Sequence, residues 1–154
     1  MFLNYKTQNA LRRVAGADII IYLIAMLSEE KQISPSIMII EDDRIISGLL
    51  QHILARRGYQ IHVALDGRMA TAMIEEIEPP HLILLDVMLP FVDGFELLKQ
   101  IRSKPNWTEL PIIMLTSKAQ EKNIVRALEA GANDYIVKPF QPEELVARVR
   151  RFVK

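Results

Sequence analysis

Several polar side chains of this 154-residue chain follow short apolar runs, and their types could do chemistry together. They are the carboxylates of Glu41, Asp42 and Asp86, the hydroxyl of Thr116 and the ammonium of Lys138. Carboxylates gathered in one place repel one another and raise each other's pKa, and a divalent cation relieves that repulsion. Mg²⁺ prefers such oxygen ligands, and a carboxylate can also form an aspartyl-phosphate. These residue types indicate metal-assisted phosphoryl chemistry if the fold brings them together.

The elements that must position these residues are five short apolar strands that alternate with amphipathic helices. The first helix has apolar residues at helical spacing and ends at Gly58, and Pro79-Pro80 closes the second. The predicted strands cover residues 37–40, 59–65, 82–85, 111–115 and 135–137. The predicted helices cover residues 46–54, 66–78, 94–103, 119–130 and 142–153.

Strict alternation of strands and helices predicts an α/β fold with one parallel sheet. The strands are apolar without interruption, which indicates burial on both faces under helices. In an open parallel sheet, ligands bind outside the carboxyl ends of the strands. The polar residues that follow the strands should therefore meet at one rim of the sheet.

Four motifs in this order resemble those of response-regulator receiver domains. They are Ile-Ile-Glu41-Asp42-Asp43, Leu-Leu-Asp86-Val-Met-Leu-Pro90-x-x-Asp93-Gly94, Met-Leu-Thr116-Ser117-Lys118-Ala119 and Asp-Tyr135-Ile-Val-Lys138-Pro139-Phe140. Each motif alone is weak, but the set is specific and covers residues 36–154. The resemblance implies a doubly wound, flavodoxin-like sheet of strand order 2-1-3-4-5. It also implies a cis peptide bond before Pro139, a bond type that only proline tolerates cheaply.

The resemblance implies a phosphoacceptor and a metal site at the rim. Asp86 would accept the phosphoryl group, and Asp42 and Asp86 would bind Mg²⁺ or Mn²⁺ directly. The backbone carbonyl of Met88 would complete the protein ligands, and Glu41 would act through a water molecule. Such chemistry asks the protein mainly for positioning and charge neutralisation.

The remaining site residues would bind and sense the phosphoryl group. Lys138 would supply positive charge and Thr116 a hydroxyl. As in other receivers, Thr116 would then move toward the phosphoryl oxygens, and Tyr135 would turn into the space that Thr116 leaves. The face made by the fourth helix, the fifth strand and the fifth helix would change shape. For Tyr135, a purely structural place in the core is the alternative.

The implied role is signalling rather than metabolism. The phosphoryl donor would be a phosphohistidine of a sensor histidine kinase or of a histidine phosphotransfer protein, with at most slow self-catalysed phosphorylation and dephosphorylation. A homodimer through the fourth helix, fifth strand and fifth helix is a further expectation, and pairing of two chains through the N-terminal segment is a separate hypothesis. Asp134 and Arg148 resemble charges that pair across such dimers, with a solvated helix face as the alternative.

Three alternative functions agree less well with the sequence than a receiver does. Haloacid-dehalogenase phosphatases need a second aspartate two residues after the nucleophile, and Met88 stands there instead. A flavin or nucleotide module is disfavoured because the chain has neither a GxGxxG nor a P-loop pattern. A vestigial receiver is disfavoured because every expected site residue is present.

Several polar residues near the motifs have simpler interpretations. Asp43 is expected to cap a helix, and Asp93-Gly94 to form a turn. Met88 and Lys118 stand at positions that vary among receivers and adjust phosphoryl lifetime. The histidines show no metal-ligand spacing, so surface or structural roles are expected for His52, His62 and His81.

The composition limits the kinds of site, the cellular compartment and the partners that the sequence supports. The chain has no cysteine, which excludes disulfides and thiolate metal sites and suits a cytoplasmic location. Its 19 basic and 19 acidic residues balance, so bulk charge gives no support for nucleic-acid binding.

The first 35 residues fall outside the receiver pattern and are treated as a separate N-terminal extension, before a receiver domain at 36–154. A basic start and the apolar run 19–27 resemble a signal peptide, but no cleavage site follows and the run is too short to span a membrane. An apolar stripe at Leu11, Ala15, Ile19, Tyr22 and Met26 favours a helix that packs on the receiver or pairs two chains, with a strand as the alternative. No effector domain follows the last helix, so the chain is expected to act through protein contacts or to be a fragment.

Overall fold

The computed structural model of the chain describes residues 34–117 and 121–154, and a five-stranded parallel sheet lies at its centre. The strands are β1 (Ser36–Ile40), β2 (Gln60–Ala64), β3 (Leu82–Asp86), β4 (Ile112–Ser117) and β5 (Asp134–Lys138). Their order across the sheet is β2-β1-β3-β4-β5, and all neighbouring pairs are parallel. The predicted fold class and the strand order implied by the resemblance are both confirmed.

Helices follow the strands in the predicted alternation. They are α1 (Arg44–Ala55), α2 (Gly67–Glu76), α3 (Gly94–Ser103), α4 (Glu121–Glu129) and α5 (Pro142–Phe152). Their bounds agree with the sequence pattern to within a few residues. The first two residues predicted for the fourth helix lie outside the described residues.

Burial on both faces of the sheet explains why the strands are apolar without interruption. Alternate side chains of β1 enter two different cores: Met38 and Ile40 pack on one side, and Ile37 and Ile39 on the other. The first core is closed by residues of α2, α3 and α4, and the second by residues of α1 and α5. The helices therefore cover both faces, as the strand composition predicted.

Aspartate side chains begin three of the helices at the rim where the strands end. Asp43 accepts hydrogen bonds from the backbone N–H groups of Ile45 (2.8 Å) and Ile46 (3.1 Å), which confirms its predicted capping role. Asp66 caps α2 and Asp93 caps α3 in the same manner. These caps satisfy amide groups that have no partner within the helix, and they fix where each helix leaves the rim.

The opposite end of the sheet is tied together by Arg102 at the end of α3. Its guanidinium donates to the carbonyl oxygens of Leu110 (2.8 Å) and Gly131 (2.8 and 3.0 Å). It also donates to Asn133 Oδ1 (2.9 Å), which in turn accepts from the backbone N–H of Ile112 (2.9 Å). Arg102 thus joins the connections before β4 and before β5, away from the rim where the polar residues gather.

The predictions for the N-terminal extension, including its helical stripe and its role in pairing, lie outside the described residues. The division of the chain at residue 35 stays a prediction. Among the described helices, none is long and apolar enough to cross a membrane. The peptide bond between Lys138 and Pro139 is cis, as the resemblance implied.

Candidate functional site

The carboxyl ends of four parallel strands bring the predicted site residues to one rim. Glu41 directly follows β1, Asp86 ends β3, and Lys138 ends β5. Thr116 lies near the end of β4 and is paired in register with Val137 on β5. The parallel arrangement places these strand ends side by side, so residues that are far apart in sequence become neighbours.

Three carboxylates form the acidic part of this rim. One carboxylate oxygen from each of Glu41, Asp42 and Asp86 lies within 4.8 Å of the other two. Glu41 and Asp86 are buried, whereas Asp42 is exposed. The group therefore has a buried base and one side that faces solvent, from which an ion or a small substrate can approach.

Lys138 supplies the positive charge that faces these carboxylates. Its Nζ lies 2.9 Å from Glu41 Oε2 and 3.2 Å from Asp86 Oδ1. The side chains of Lys138, Glu41 and Asp86 are only 12%, 1% and 5% exposed, so water screens these interactions weakly. The ion pairs hold the ammonium between the two buried carboxylates.

Burial dominates the protonation behaviour of the site. It raises the pKa of Glu41 above its ordinary value, and the hydrogen bond from Lys138 opposes that rise only in part. Burial likewise raises the pKa of Asp86, although the charge of Lys138 lowers it. For Lys138, burial lowers the pKa, but the hydrogen bond to Glu41 and the charges of Asp86 and Glu41 together raise it above its ordinary value. The raised carboxyl pKa values mean that the interactions with Lys138 do not fully offset the cost of burying these two charged carboxylates.

The composition of this cluster fits a divalent metal ion. Three carboxylates face one ammonium, and all the donor atoms are the hard oxygens that Mg²⁺ and Mn²⁺ prefer. A bound divalent cation would neutralise the remaining charge. The exposed position of Asp42 leaves room for the water molecules that Mg²⁺ retains.

The segment after Asp86 is folded back tightly on the strand that carries it. The backbone N–H of Val87 donates to Leu115 on β4 (3.0 Å), and that of Gly94 donates to Val87 (3.0 Å). A Cβ atom at Gly94 would overlap the carbonyl oxygen of Asp86, so only glycine fits there. Asp93-Gly94 therefore does more than turn the chain, because it closes a loop directly beneath Asp86.

This loop forms the mouth of the site. A cavity of about 400 Å³ is lined by residues of the loop together with Asp42. Met88 is 71% exposed at this position, so its side chain is open to anything that approaches Asp86. Lys118, the other predicted flanking residue, lies outside the described residues.

Thr116 and Tyr135 lie on neighbouring strands and share one face of the sheet. Thr116 is buried and paired with Val137. Tyr135 is paired with Met114, two residues further from the rim along the strands. The ring of Tyr135 is partly buried against the core that contains Met114. The guanidinium of Arg148 lies 5.9 Å from the centre of that ring. The structure thus places the predicted switch pair on the same face of the sheet, offset by two residues in the register of β4 and β5.

Asp134 and Arg148, which resemble charges that pair between subunits, are paired within this chain. Arg148 donates to both carboxylate oxygens of Asp134 (2.9 and 3.0 Å) and is also bonded to Glu144. Arg151 donates to Asp134 as well (3.1 Å). A sequence motif cannot distinguish pairing within a chain from pairing between chains, since both place the same residues together.

Of the three histidines, His81 has a structural role that its spacing could not reveal. Its Nδ1 accepts a hydrogen bond from the backbone N–H of Ser36 (3.1 Å) and lies 3.3 Å from the Ser36 hydroxyl. This contact joins the beginnings of β1 and β3, at the end of the sheet away from the acidic cluster. The expectation of a structural role is confirmed for this histidine.

Comparison with known proteins agrees with the resemblance to receiver domains. Residues 37–150 match the family model described as the response regulator receiver domain. The chain is 42% identical over 120 residues to the phosphate regulon transcriptional regulatory protein PhoB of Rhizobium meliloti. The matched region covers 78% of this chain and 52% of the relative. The chain therefore spans about half the length of that curated relative.

Two solved structures resemble the described fold. The chemotaxis response regulator CheY4 of Vibrio cholerae has a TM-score of 0.73 at 30% identity, covering 78% of this chain and 99% of that one. The receiver domain of the sensor histidine kinase PA1611 of Pseudomonas aeruginosa has a TM-score of 0.71 at 32% identity, covering 77% and 97%. That second structure has a magnesium ion coordinated in its active-site cleft.

Proposed function

The chain belongs to the family of response regulator receiver domains, and we propose that it accepts a phosphoryl group on the carboxylate of Asp86. The observation that carries this proposal is the environment of Asp86. Its carboxylate is buried at a strand end, lies 3.2 Å from the ammonium of Lys138, and shares an acidic cluster with Glu41 and Asp42. Glu41 shares both features, and Asp86 is assigned because it stands at the phosphoacceptor position of the receiver motif.

Four groups of the chain are suited to hold Mg²⁺ in this site. Asp42, Asp86 and the backbone carbonyl of Met88 would bind it directly, and Glu41 would act through a water molecule. The donor set and the uncompensated negative charge support this assignment. When bound, the ion supplies positive charge to the oxygens of the transferred group.

The transfer is a displacement at phosphorus. A carboxylate oxygen of Asp86 forms the new O–P bond while the P–N bond of a phosphohistidine breaks, and the imidazole nitrogen of the donor keeps the electron pair. Lys138 lies close enough to Asp86 to stay with the acyl phosphate oxygens and offset their charge. Thr116, buried on the neighbouring strand, provides the hydroxyl that binds one of them.

The output of phosphorylation would be a change on the α4-β5-α5 face. Thr116 and Tyr135 share a face of the sheet, so a movement of the Thr116 hydroxyl toward the rim can be followed by the ring of Tyr135. The ring of Tyr135 also lies near Arg148 of α5, with the guanidinium 5.9 Å from the ring centre. The two side chains thereby connect the rim to a surface that a partner can read.

The phosphoryl donor is proposed by its class. A sensor histidine kinase or a histidine phosphotransfer protein would supply the phosphoryl group, and a homodimer through the α4-β5-α5 face is a further proposal. Turnover of metabolites is not supported, because Met88 occupies the position where a phosphatase would need an acid–base aspartate. Self-catalysed phosphorylation and dephosphorylation are expected to be slow.

Intact-mass spectrometry after incubation with Mg²⁺ and acetyl phosphate tests the proposal directly. The wild-type chain should gain one phosphate that is stable in acid, labile in base and dependent on Mg²⁺. The Asp86→Asn variant should gain none. Asp93→Asn is the matched control, because Asn can also cap α3 and this carboxylate lies outside the acidic cluster.

An adduct on Asp86→Asn equal to that on the wild type would place the phosphate elsewhere and contradict the proposal. No adduct on the wild type, with Mg²⁺ binding shown by calorimetry, would favour a vestigial receiver that acts through contacts alone.

A further inference from the structure

The loop between β3 and α3 carries the proposed metal ligand Met88, and both of its ends are fixed. Val87 is bonded to β4, and Gly94 is bonded back to Val87. Neither of these contacts restrains the apex of the loop at Pro90, Phe91 and Val92. The apex instead lies against the first turn of α2.

Gly67, the first residue of α2, receives the apex at very short range. Its backbone N–H donates to the carbonyl oxygen of Pro90 (3.2 Å). A Cβ atom at Gly67 would lie 2.5 Å from Cβ of Val92 and 2.7 Å from its carbonyl oxygen. Because part of that obstruction is backbone, a larger residue would have to move the loop itself.

Phe91 has a backbone conformation that its side chain does not favour. Its φ is +71°, in the left-handed region that bulky residues rarely adopt, and its side chain is 66% exposed. Core burial therefore does not hold it there, and the backbone N–H of Val92 closes a tight turn around it by donating to the carbonyl oxygen of Pro90 (2.9 Å). The guanidinium of Arg68, also in the first turn of α2, lies 4.1 Å from the centre of the Phe91 ring.

We infer that Gly67 and Arg68 are positioning residues for the phosphoacceptor site, because they hold the apex of the loop that bears Met88. They act through Pro90, Phe91 and Val92, the residues that they contact at the apex of the loop. The inference rests on the proposed function, because that function makes the loop the carrier of a metal ligand, Met88. Strained backbone held by its surroundings is a common way to fix a functional loop.

Gly67→Ala is the sharpest test, measured as Mg²⁺ affinity by calorimetry together with hydrogen exchange of the loop amides without metal. We expect Mg²⁺ to bind about tenfold more weakly, as when the support of a metal ligand is removed. The backbone amides of residues 87–89 and 91–93 should exchange faster. Gly48→Ala is the matched control, since Gly48 lies in helix α1 with nothing within 4 Å of the position of a Cβ atom.

Arg68→Gln gives a second test that adds no steric clash. It removes the cation over Phe91 and should weaken Mg²⁺ binding about threefold. Circular dichroism and thermal unfolding without metal check that each variant is folded. If either variant is unfolded, the other decides the question.

The outcomes separate this inference from the proposed function. Folded Gly67→Ala and Arg68→Gln variants with the Mg²⁺ affinity and loop exchange of the wild type would overturn the inference and leave the phosphoacceptor intact. If the wild type itself did not bind Mg²⁺, the metal site of the proposed function would fail. The exchange measurement would then still decide whether α2 holds the loop.

Discussion

Lys138 and Glu41 lie 97 residues apart in sequence, yet the ammonium of one donates a 2.9 Å hydrogen bond to the carboxylate of the other in the buried base of the site. The same ammonium lies 3.2 Å from Asp86. One lysine thus serves two buried carboxylates, and the third carboxylate, Asp42, stands at the solvent side. This arrangement determines how the site responds to mutation, pH and metal ions.

Removing Lys138 should destabilise the fold more than removing an ordinary lysine. Lys138→Met leaves two buried carboxylates without their cation, a loss that costs about 3 kcal/mol in the free energy of unfolding. Chemical denaturation without divalent ions measures this cost, and millimolar Mg²⁺ should restore part of it. Lys99→Met, at an exposed position of α3, should change the free energy by less than about 0.5 kcal/mol. Equal effects of the two substitutions would contradict the role given to Lys138.

The raised carboxyl pKa values predict how stability depends on pH. Glu41 and Asp86 have folded-state pKa values above their ordinary 4.5 and 3.8. The stability that each contributes is fully present below its ordinary pKa and is lost as the pH rises through the raised value. At neutral pH without metal, the charged form of each carboxyl therefore destabilises the fold.

Asp86→Asn should consequently melt at a higher temperature than the wild type at pH 7 without divalent ions. The difference should shrink as the pH is lowered toward 4, where the wild-type carboxyl becomes protonated. Each kcal/mol corresponds to about 4 °C for a domain of this size. Calorimetric melting at several pH values checks this, with Asp93→Asn as the control. A difference that stayed constant with pH would show that the charge of Asp86 is not its cause.

Arg102→Met should loosen the end of the sheet opposite the site. The substitution leaves the carbonyl oxygens of Leu110 and Gly131 without their donor and should cost about 2 kcal/mol. Arg150→Met, at an exposed position of α5, is the control and should cost far less. Urea denaturation measures both variants. Mg²⁺ affinity should be unchanged, because Arg102 lies away from the rim, and a large loss of affinity would contradict this separation.

Much of the fold and the rim could be predicted because those features depend on local patterns. Uninterrupted apolar runs such as Leu82–Leu85 indicate strands buried on both faces, and a parallel sheet then brings the residues after them together. The capping role of Asp43 follows from residue type and place alone. Such features need no knowledge of which distant residues come into contact.

Other features depend on three-dimensional contacts that residue types do not encode. The left-handed backbone at Phe91 occurs where glycine would be expected, so its type gives no warning. In the sequence, Asp66-Gly67 indicates only the start of a helix, whereas the space beside Gly67 is filled by Val92 from another segment. The carbonyl groups that Arg102 binds come from connections that are ordinary in sequence. Each of these requires the packed structure.

Thr116→Ala should separate phosphorylation from its structural consequence. The variant keeps the acidic cluster and Lys138, so it should still bind Mg²⁺ and gain a phosphate on Asp86. Without the Thr116 hydroxyl, the phosphoryl group no longer draws this side chain toward the rim, and Tyr135 should stay in place. Hydrogen exchange of the described part of α4, of β5 and of α5, measured with and without acetyl phosphate, reports the change.

Ser117→Ala is the matched control for that experiment, because it removes the neighbouring hydroxyl from an exposed position at the end of the same strand. The control and the wild type should both change exchange on the α4-β5-α5 face when phosphorylated, and Thr116→Ala should not. A Thr116→Ala variant that was phosphorylated and still changed exchange like the wild type would mean that the signal leaves the rim by another path. In that case the shared sheet face of Thr116 and Tyr135 would be a feature of packing alone.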